Sequence, residues 1–245
     1  METSKRTAKG GIRSKMQWTA GIIFAFAVIA AALISSFEIA MYSDFDFYEK
    51  EYEKYDVLSE LDMAMEDTMY VTREMMSYLR GDREELSVIT TVEGREQDFF
   101  NGQDRFHMGE VKELFIGGLN IRAGACAAGV LCLIFLLVTG ADIKSLLPKS
   151  YWIAVGISAG AAAVIGIASL VDFNAVFVRF HHIFFDNDLW IFDPAEDYMI
   201  RMLPEGLFYD FVMRIGGFFL VMLAALFLLS ILPAAVSKIR KKQYD

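Results

Sequence analysis

Four stretches of the chain carry no Asp, Glu, Lys, Arg or His: residues 18–37, 123–141, 150–171 and 215–237, which are 20, 19, 22 and 23 residues long. At about 1.5 Å of rise per residue, roughly 20 residues cover the ~30 Å hydrocarbon layer, and buried helices of soluble domains seldom hold so many apolar positions in a row. The pattern predicts four membrane-crossing helices. Between the first and second, the period changes. Leu58, Leu61, Met65, Met69, Thr72, Met76 and Leu79 recur at threes and fours, which predicts an amphipathic helix ending before Gly81 and lying over the bundle or at the lipid surface. Leu86 to Val92 is the one β-branched run and predicts a short strand or hairpin. The acidic, tyrosine-rich segment 44–56 reads as a helical extension of the first span.

Composition agrees with that pattern, since 55% of the residues are hydrophobic and 14% aromatic, more than a soluble domain carries. Disorder, coiled coil and collagen are excluded. The net charge of -9 argues against a nucleic-acid partner, and its distribution says more. Lys5, Arg6, Lys9, Arg13 and Lys15 precede the first run, Lys144 and Lys149 lie between the second and third, and Lys238, Arg240, Lys241 and Lys242 follow the fourth. Residues 38–118 hold 21 acids against 8 bases, and residues 172–211 hold 8 against 2. Basic segments stay cytoplasmic. The expected order is a cytoplasmic leader (1–16), a first span (17–41), an outer loop (42–118), a second span (119–141), an inner hinge (142–149), a third span (150–171), an outer loop (172–211), a fourth span (212–237) and a cytoplasmic tail (238–245). That makes a mostly α, multi-pass cell-membrane protein: a four-helix bundle with an extracytoplasmic cap from two loops, minor β content and both termini inside. The first run exceeds a 7 to 15 residue signal-peptide core, and Phe37-Glu38-Ile39-Ala40 is a poor cleavage site, so a retained anchor is expected.

Within the spans, Gly124 and Ala128, Ala125 and Gly129, Gly156 and Gly160, and Ala162 and Gly166 repeat at four-residue spacing, which predicts close pairing of the second and third spans across a turn at Pro148. Pro233 is expected as a kink in the fourth. Gly156-Ile157-Ser158-Ala159-Gly160 has the G-x-S-x-G form of a nucleophile elbow, but that elbow needs a strand-to-helix turn and Ser158 falls in mid-span. Cys126 and Cys132, six residues apart, project about 240° from each other on a helix and read as packing thiols. The methionine stripe reads as an adaptable apolar face rather than a copper site.

Only three histidines occur, His107, His181 and His182, and all fall in the two expected outer loops. Asp104, His107 and Glu110 are three apart, so on a helix either carboxylate can orient the imidazole. Three readings stand side by side. The histidines are structural groups in an interfacial belt with the nearby Phe and Trp residues; or they join Asp104, Glu110, Asp186 or Asp188 around a metal, for which no H-E-x-x-H spacing speaks; or they perform acid–base chemistry.

Phe100-Asn101, His107-Met108, Val111-Lys112 and Leu114-Phe115, with Phe180-His181, Phe184-Phe185, Asn187-Asp188, Trp190, Asp193-Pro194, Pro204-Glu205 and Tyr78-Leu79-Arg80-Gly81, resemble the bacterial lipoprotein intramolecular transacylase family over about residues 17–236. The resemblance implies an acyltransferase that needs no cofactor or metal. It would move the sn-2 acyl chain of a diacylglyceryl-modified lipoprotein onto the α-amino group of that lipoprotein's N-terminal cysteine, giving the lyso-form. Membrane lipid and the lipoprotein are then the partners. His107 and His181 carry over as the catalytic pair, with His182, Asp104, Glu110, Asn101, Asn187, Asp188 and Trp190 as supporting candidates. An α-amine with a pKa near 7.7–8 and a base near 6.5 are suitably matched. One histidine would take the amine proton and the other serve the oxyanion and leaving alkoxide. The residues leave open which does which. A competing membrane hydrolase would need a metal, and a non-enzymatic sensor or assembly subunit would leave lipoproteins unchanged.

Overall fold

The computed structural model of the chain describes elements over residues 2–244 and side chains over residues 11–230. Lys5, Arg6, Lys9, Pro233 and the basic tail lie outside the described side chains. The elements run α1 (Glu2–Tyr42), α2 (Asp46–Lys54), α3 (Val57–Leu61), α4 (Met65–Arg80), β1 (Ile89–Val92), β2 (Arg95–Asp98), α5 (Gly102–Val138), α6 (Ile143–Val171), α7 (Phe173–Phe184), α8 (Tyr198–Met202) and α9 (Glu205–Tyr244). The chain is mostly helical, with one two-stranded sheet among the described residues. Four helical stretches, Gly11–Tyr42, Gly102–Val138, Ile143–Val171 and Glu205–Ser230, are long and apolar enough to cross a membrane. At 37 residues α5 measures about 55 Å, far more than one crossing needs. Its first part carries Asp104, Arg105, Glu110, Lys112, Glu113 and Arg122, and its uncharged run begins at Ala123.

Two compact units emerge, one from residues 1–36, 121–164 and 217–245 and the other from residues 37–120 and 165–216. In the first, α1 is the shared partner. Its Ala20 packs with Leu136 of α5 and Leu146 of α6, and its Ala25 and Ile29 pack with Ala154 of α6 and with Phe219 and Leu223 of α9. Tyr151 Oη donates to the Leu223 carbonyl at 2.6 Å, tying α6 to α9.

The expected pairing of the second and third spans through small residues is not what holds this unit. A Cβ on Gly124, Gly156 or Gly160 would meet nothing within 4 Å, and Gly129 approaches Ala27 and Phe24 of α1. The tight approach is at Gly21 of α1, where a Cβ would stand 2.7 Å from Ser150 Oγ and 3.2 Å from Leu146 Cγ. The four-residue repeats mislead because each small residue permits close approach without requiring it, and α1 takes the central place. Nor is Pro148 in the connecting turn. The turn is at Gly140, with φ +59°, and Pro148 lies inside α6. Gly21→Leu should therefore cost about 1–3 kcal/mol through overpacking, whereas Gly156→Leu should leave the thermal midpoint in detergent within about one degree of the wild type. Thermal unfolding of the two purified variants checks this. Ser158 sits within continuous α6 helix, without the turn a nucleophile elbow requires.

The second unit has the larger core. Segment 44–56 forms a separate helix, because the chain breaks at Ser43–Phe45 after α1 ends. Tyr48 and Tyr52 of α2 are fully buried against α4, with Tyr52 Oη and Thr72 Oγ1 2.7 Å apart. The predicted amphipathic helix divides at Asp62, whose φ of +46° ends α3, so Leu58 and Leu61 precede the break and α4 carries Met69, Thr72, Met76 and Leu79 into the core. These methionines fill an internal core rather than lying at a lipid surface. Gly81 caps α4 at φ +89°, as expected. The β-branched run becomes β1, paired antiparallel with β2 from Ile89↔Asp98 to Val92↔Arg95. Its two-residue turn, Glu93-Gly94, has positive φ at both positions, the geometry that matches strand twist.

Candidate active site

Two helices and one loop of the second unit build the site. Just past the hairpin, Asp98 accepts from Ser87 Oγ at 2.6 Å, Val88 N at 3.2 Å and Phe100 N at 3.1 Å, and pairs with Arg105 at 2.6 Å. That knot fixes where α5 begins. Asn101 then caps the helix: its Oδ1 accepts from the amides of Gln103 (2.8 Å) and Asp104 (3.0 Å), while Asp104 Oδ2 accepts from Asn101 N at 2.9 Å. This reciprocal capping box sets His107 one turn beyond Asp104, and Glu110 one turn further.

The second histidine arrives on α7, which starts where Asp172 Oδ1 accepts from Ala175 N at 2.9 Å. The last turn of α7 holds His181 buried and His182 exposed. His107 and His181, at 6% and 7% exposure, stack with ring centroids 5.8 Å apart and planes 28° apart. The two histidines that the sequence singled out thus meet across 74 positions of chain. Phe185 and Phe192 lie edge-on to His107 at 4.9 and 5.5 Å. Phe177 (4.2 Å) and Trp190 (4.7 Å) flank His181.

Hydrogen bonding distinguishes the two rings. His181 Nδ1 stands 2.8 Å from the Phe177 carbonyl, so Nδ1 carries the hydrogen and donates it, leaving a lone pair on Nε2. His107 Nδ1 faces Glu110 Oε2 at 4.0 Å, and neither atom has a hydrogen-bond partner. Burial, reinforced by the charge His181 would carry, pushes the His107 imidazole down to about 4. Burial also lowers His181, against the carbonyl bond that favours its charged form. Burial thus disfavours the charged form of both rings. Burial raises the Asp104 carboxyl to about 6, opposed by its bond from Asn101 N and aided by the nearby Asp197 charge.

A web of polar contacts joins α5 to the loop after α7. Glu110 Oε1 accepts from Asn187 Nδ2 at 2.8 Å. Gln103 Nε2 donates to the carbonyls of Leu189 (3.1 Å) and Ile191 (2.9 Å). Asn101 Nδ2 donates to Asp197 Oδ1, whose Oδ2 accepts from Asp193 N at 2.9 Å. Trp190 is thereby held beside the histidines, and its Nε1 is buried without a partner. Asp188 is exposed in the turn below it. Gln103, Phe177, Phe192 and Asp197 escaped sequence reasoning. Among the described residues no three His, Cys, Asp or Glu side chains converge as a metal would need.

The whole chain superposes on known membrane proteins of one kind. The in meso structure of the membrane integral lipoprotein intramolecular transacylase Lit from Bacillus cereus matches with a TM-score of 0.70 at 20% identity, over 95% of this chain and 100% of that one. A variant of the same protein with a histidine changed to arginine gives 0.73 at 18% identity, over 99% and 100%. Another, with a histidine changed to alanine, gives 0.65 at 20%, over 98% and 100%. No curated protein is similar enough in sequence to match. At these identities the structures establish the fold, and the sequence itself carries the assignment further. Residues 22–208 match the Lit family, described as lipoprotein intramolecular transacylase, and the chain therefore belongs to that family of membrane-integral acyltransferases.

Proposed function

We propose that this protein moves the sn-2 acyl chain of a diacylglyceryl-modified lipoprotein onto the α-amino group of the lipoprotein's own N-terminal cysteine, with His107 and His181 as the catalytic pair. The observation that carries this reading is the stacked pair of buried imidazoles supplied by separate segments of the chain, in a family of intramolecular transacylases. An amine attacks an ester only when neutral, and a neutral imidazole is the group that can take its proton. Glu110, 4.0 Å from His107 Nδ1, favours the hydrogen on Nδ1 and so directs the lone pair of Nε2 to the amine. It also stabilises the imidazolium once formed. His181, its one N–H given to Phe177, accepts from the amine and aims the nitrogen lone pair at the ester carbonyl. As the N–C bond forms and the C–O bond breaks, His107 passes the proton to the departing sn-2 oxygen. Donor and acceptor belong to one molecule, so orientation supplies much of the rate.

The charge distribution supports an extracytoplasmic site in a protein with both termini inside. Residues 38–118 and 172–211 contain the site and most of the acids, and the basic residues Arg13, Lys144 and Lys149 lie in the alternate segments. Lipid chains of the substrate stay in the bilayer while the amine and ester reach the histidines.

Tandem mass spectrometry of the N-terminal lipopeptide of a reporter lipoprotein, with and without the protein, tests the reading: the transfer leaves the intact mass unchanged, so fragment ions should place one acyl chain on the cysteine amine and one on the glyceryl group only when the protein is present, and an N-terminus that stays unacylated would overturn it. The pH dependence is specific. The substrate amine gains a proton below about pH 8, and a histidine at its ordinary pKa would gain a second below about 6.5. With burial holding His107 down at about 4 and lowering His181 as well, log kcat/KM should fall with a slope near one as the amine takes up its proton, and any steepening towards two should begin only below the ordinary histidine value of about 6.5.

A further inference from the structure

The charge that develops on the ester carbonyl oxygen during acyl transfer needs a hydrogen-bond donor, and few groups of the site are free to supply one. The N–H of neutral His181 is committed to the Phe177 carbonyl at 2.8 Å. Asn187 Nδ2 is bound to Glu110 at 2.8 Å, Asn101 Nδ2 to Asp197, and Gln103 Nε2 to two backbone carbonyls. Arg105 pairs with Asp98, and Lys112 Nζ donates to the Arg83 carbonyl at 2.6 Å. Two buried nitrogens of the site have no partner, His107 Nδ1 and Trp190 Nε1; His107 Nδ1 faces the Glu110 carboxylate at 4.0 Å, which leaves the indole. A buried donor left unmatched costs about 1–3 kcal/mol, which is recovered if an acceptor arrives with the substrate.

The loop that carries this indole is held on both sides. Gln103 of α5 grips the carbonyls of Leu189 and Ile191, the residues flanking it. Asn187 Oδ1 accepts from Leu189 N at 2.9 Å, and the Ile191 amide donates to the Asp188 carbonyl at 3.1 Å. The ring lies 4.7 Å from His181 and is met edge-on by His182 at 5.2 Å. The helix that bears His107 therefore also positions the indole, so base and donor keep a fixed spacing.

We propose that Trp190 is a catalytic residue whose indole N–H donates to the carbonyl oxygen of the scissile ester as it becomes an oxyanion. This rests on the transacylase reading. While the amine nitrogen bonds to the carbonyl carbon, the oxygen gains the electron pair of the C=O π bond and the indole hydrogen bond strengthens. The pair returns as the sn-2 C–O bond breaks, and the proton taken from the amine goes to the departing oxygen. Trp190 itself neither gains nor loses a proton.

The test uses purified full-length protein in micelles with a diacylglyceryl lipopeptide whose cysteine α-amino group is free, and the isomeric lyso-product is read from N-acyl fragment ions in tandem mass spectrometry. Trp190→Phe keeps an aromatic ring beside His181 and removes the N–H. Replacement by the benzothiophene analogue of tryptophan keeps the bicyclic shape as well. Removing one oxyanion donor typically costs 10²–10³ in kcat, and for a neutral indole we expect about 10- to 100-fold in kcat with KM within about twofold and unchanged thermal unfolding. A benzothiophene variant within twofold of wild type overturns the proposal while leaving the transacylase reading intact. So does a loss confined to KM or accompanied by unfolding in that shape-preserving variant. If wild-type protein itself makes no lyso-form lipopeptide, the transacylase reading fails and the proposal with it.

Discussion

His107→Ala should reduce conversion of a diacylglyceryl reporter lipoprotein to the lyso-form by about 10²–10⁴, the usual worth of a positioned acid–base group, while the protein still accumulates in membranes. His107 lies in the second unit, flanked by Phe185 and Phe192, and its loss leaves the core of Tyr48, Tyr52, Met76 and Phe99 intact. His181→Ala should lose conversion comparably, because its ring stacks on His107 and in the proposed mechanism accepts from the amine. Glu110→Gln keeps the bond to Asn187 and removes only the carboxylate charge facing His107 Nδ1, so a smaller loss of about tenfold is expected, with protein levels unchanged. His182→Ala, on an exposed side chain, should stay within about twofold of the wild type. Fragment-ion spectra of the reporter's N-terminal lipopeptide, which tell N-acyl from sn-2 acyl isomers of equal mass, decide between these outcomes in cells carrying each variant. Full conversion by the His107 or His181 variant would remove that histidine from the mechanism.

The spans were legible because they rest on a strong local signal, whereas the choice of His107 and His181 among the three histidines rested on the family resemblance of the motifs around them. An uncharged run of about 20 residues has few fates other than a membrane helix, and three histidines in two segments of one charge character narrow the search for a reactive group. What the sequence could not give was the pairing of surfaces. Small-residue spacing singled out Gly156 and Gly160, yet the close contact is at Gly21 against Ser150 and Leu146, because helical spacing records which face is smooth and not which helix meets it. Asp104 and Glu110 both stand three residues from His107, and the spacing allowed either carboxylate to orient the ring. One Asp104 oxygen accepts from the Asn101 amide in a capping box, and Glu110 is the carboxylate that faces His107. The N-x-x-D pattern at residues 101–104 is the local signal of that helix start. Asp197 and Gln103 were invisible for another reason. Their partners lie 96, 86 and 88 positions away, and no local pattern encodes such contacts.

Asn101→Ala should be the most damaging substitution among the polar residues that hold the site without reacting. It removes the N-cap of α5, typically worth about 1 kcal/mol, and it leaves the buried carboxylate of Asp197 with only the Asp193 amide, which adds about 1–3 kcal/mol for an unsatisfied charged group. A total near 2–4 kcal/mol corresponds to a fall of several degrees in thermal midpoint for a chain of this size. Activity should fall further than stability alone requires, because the Asn101–Asp197 bond joins the helix bearing His107 to the loop after Trp190. Asn101→Asp separates the two contributions. It keeps an oxygen that can cap α5 but replaces the donor to Asp197 with a third carboxylate beside Asp104 and Asp197. Like charges repel, so this variant should be destabilised more as pH rises through the Asp104 value of about 6, when more of the three are ionised, and should recover part of its stability as pH falls and they take up protons. Thermal unfolding of both variants between pH 5 and pH 8, followed alongside lyso-form production, checks the assignment. An Asn101→Asp protein as stable as the wild type at pH 8 would show that the clasp to Asp197 does not hold the site together.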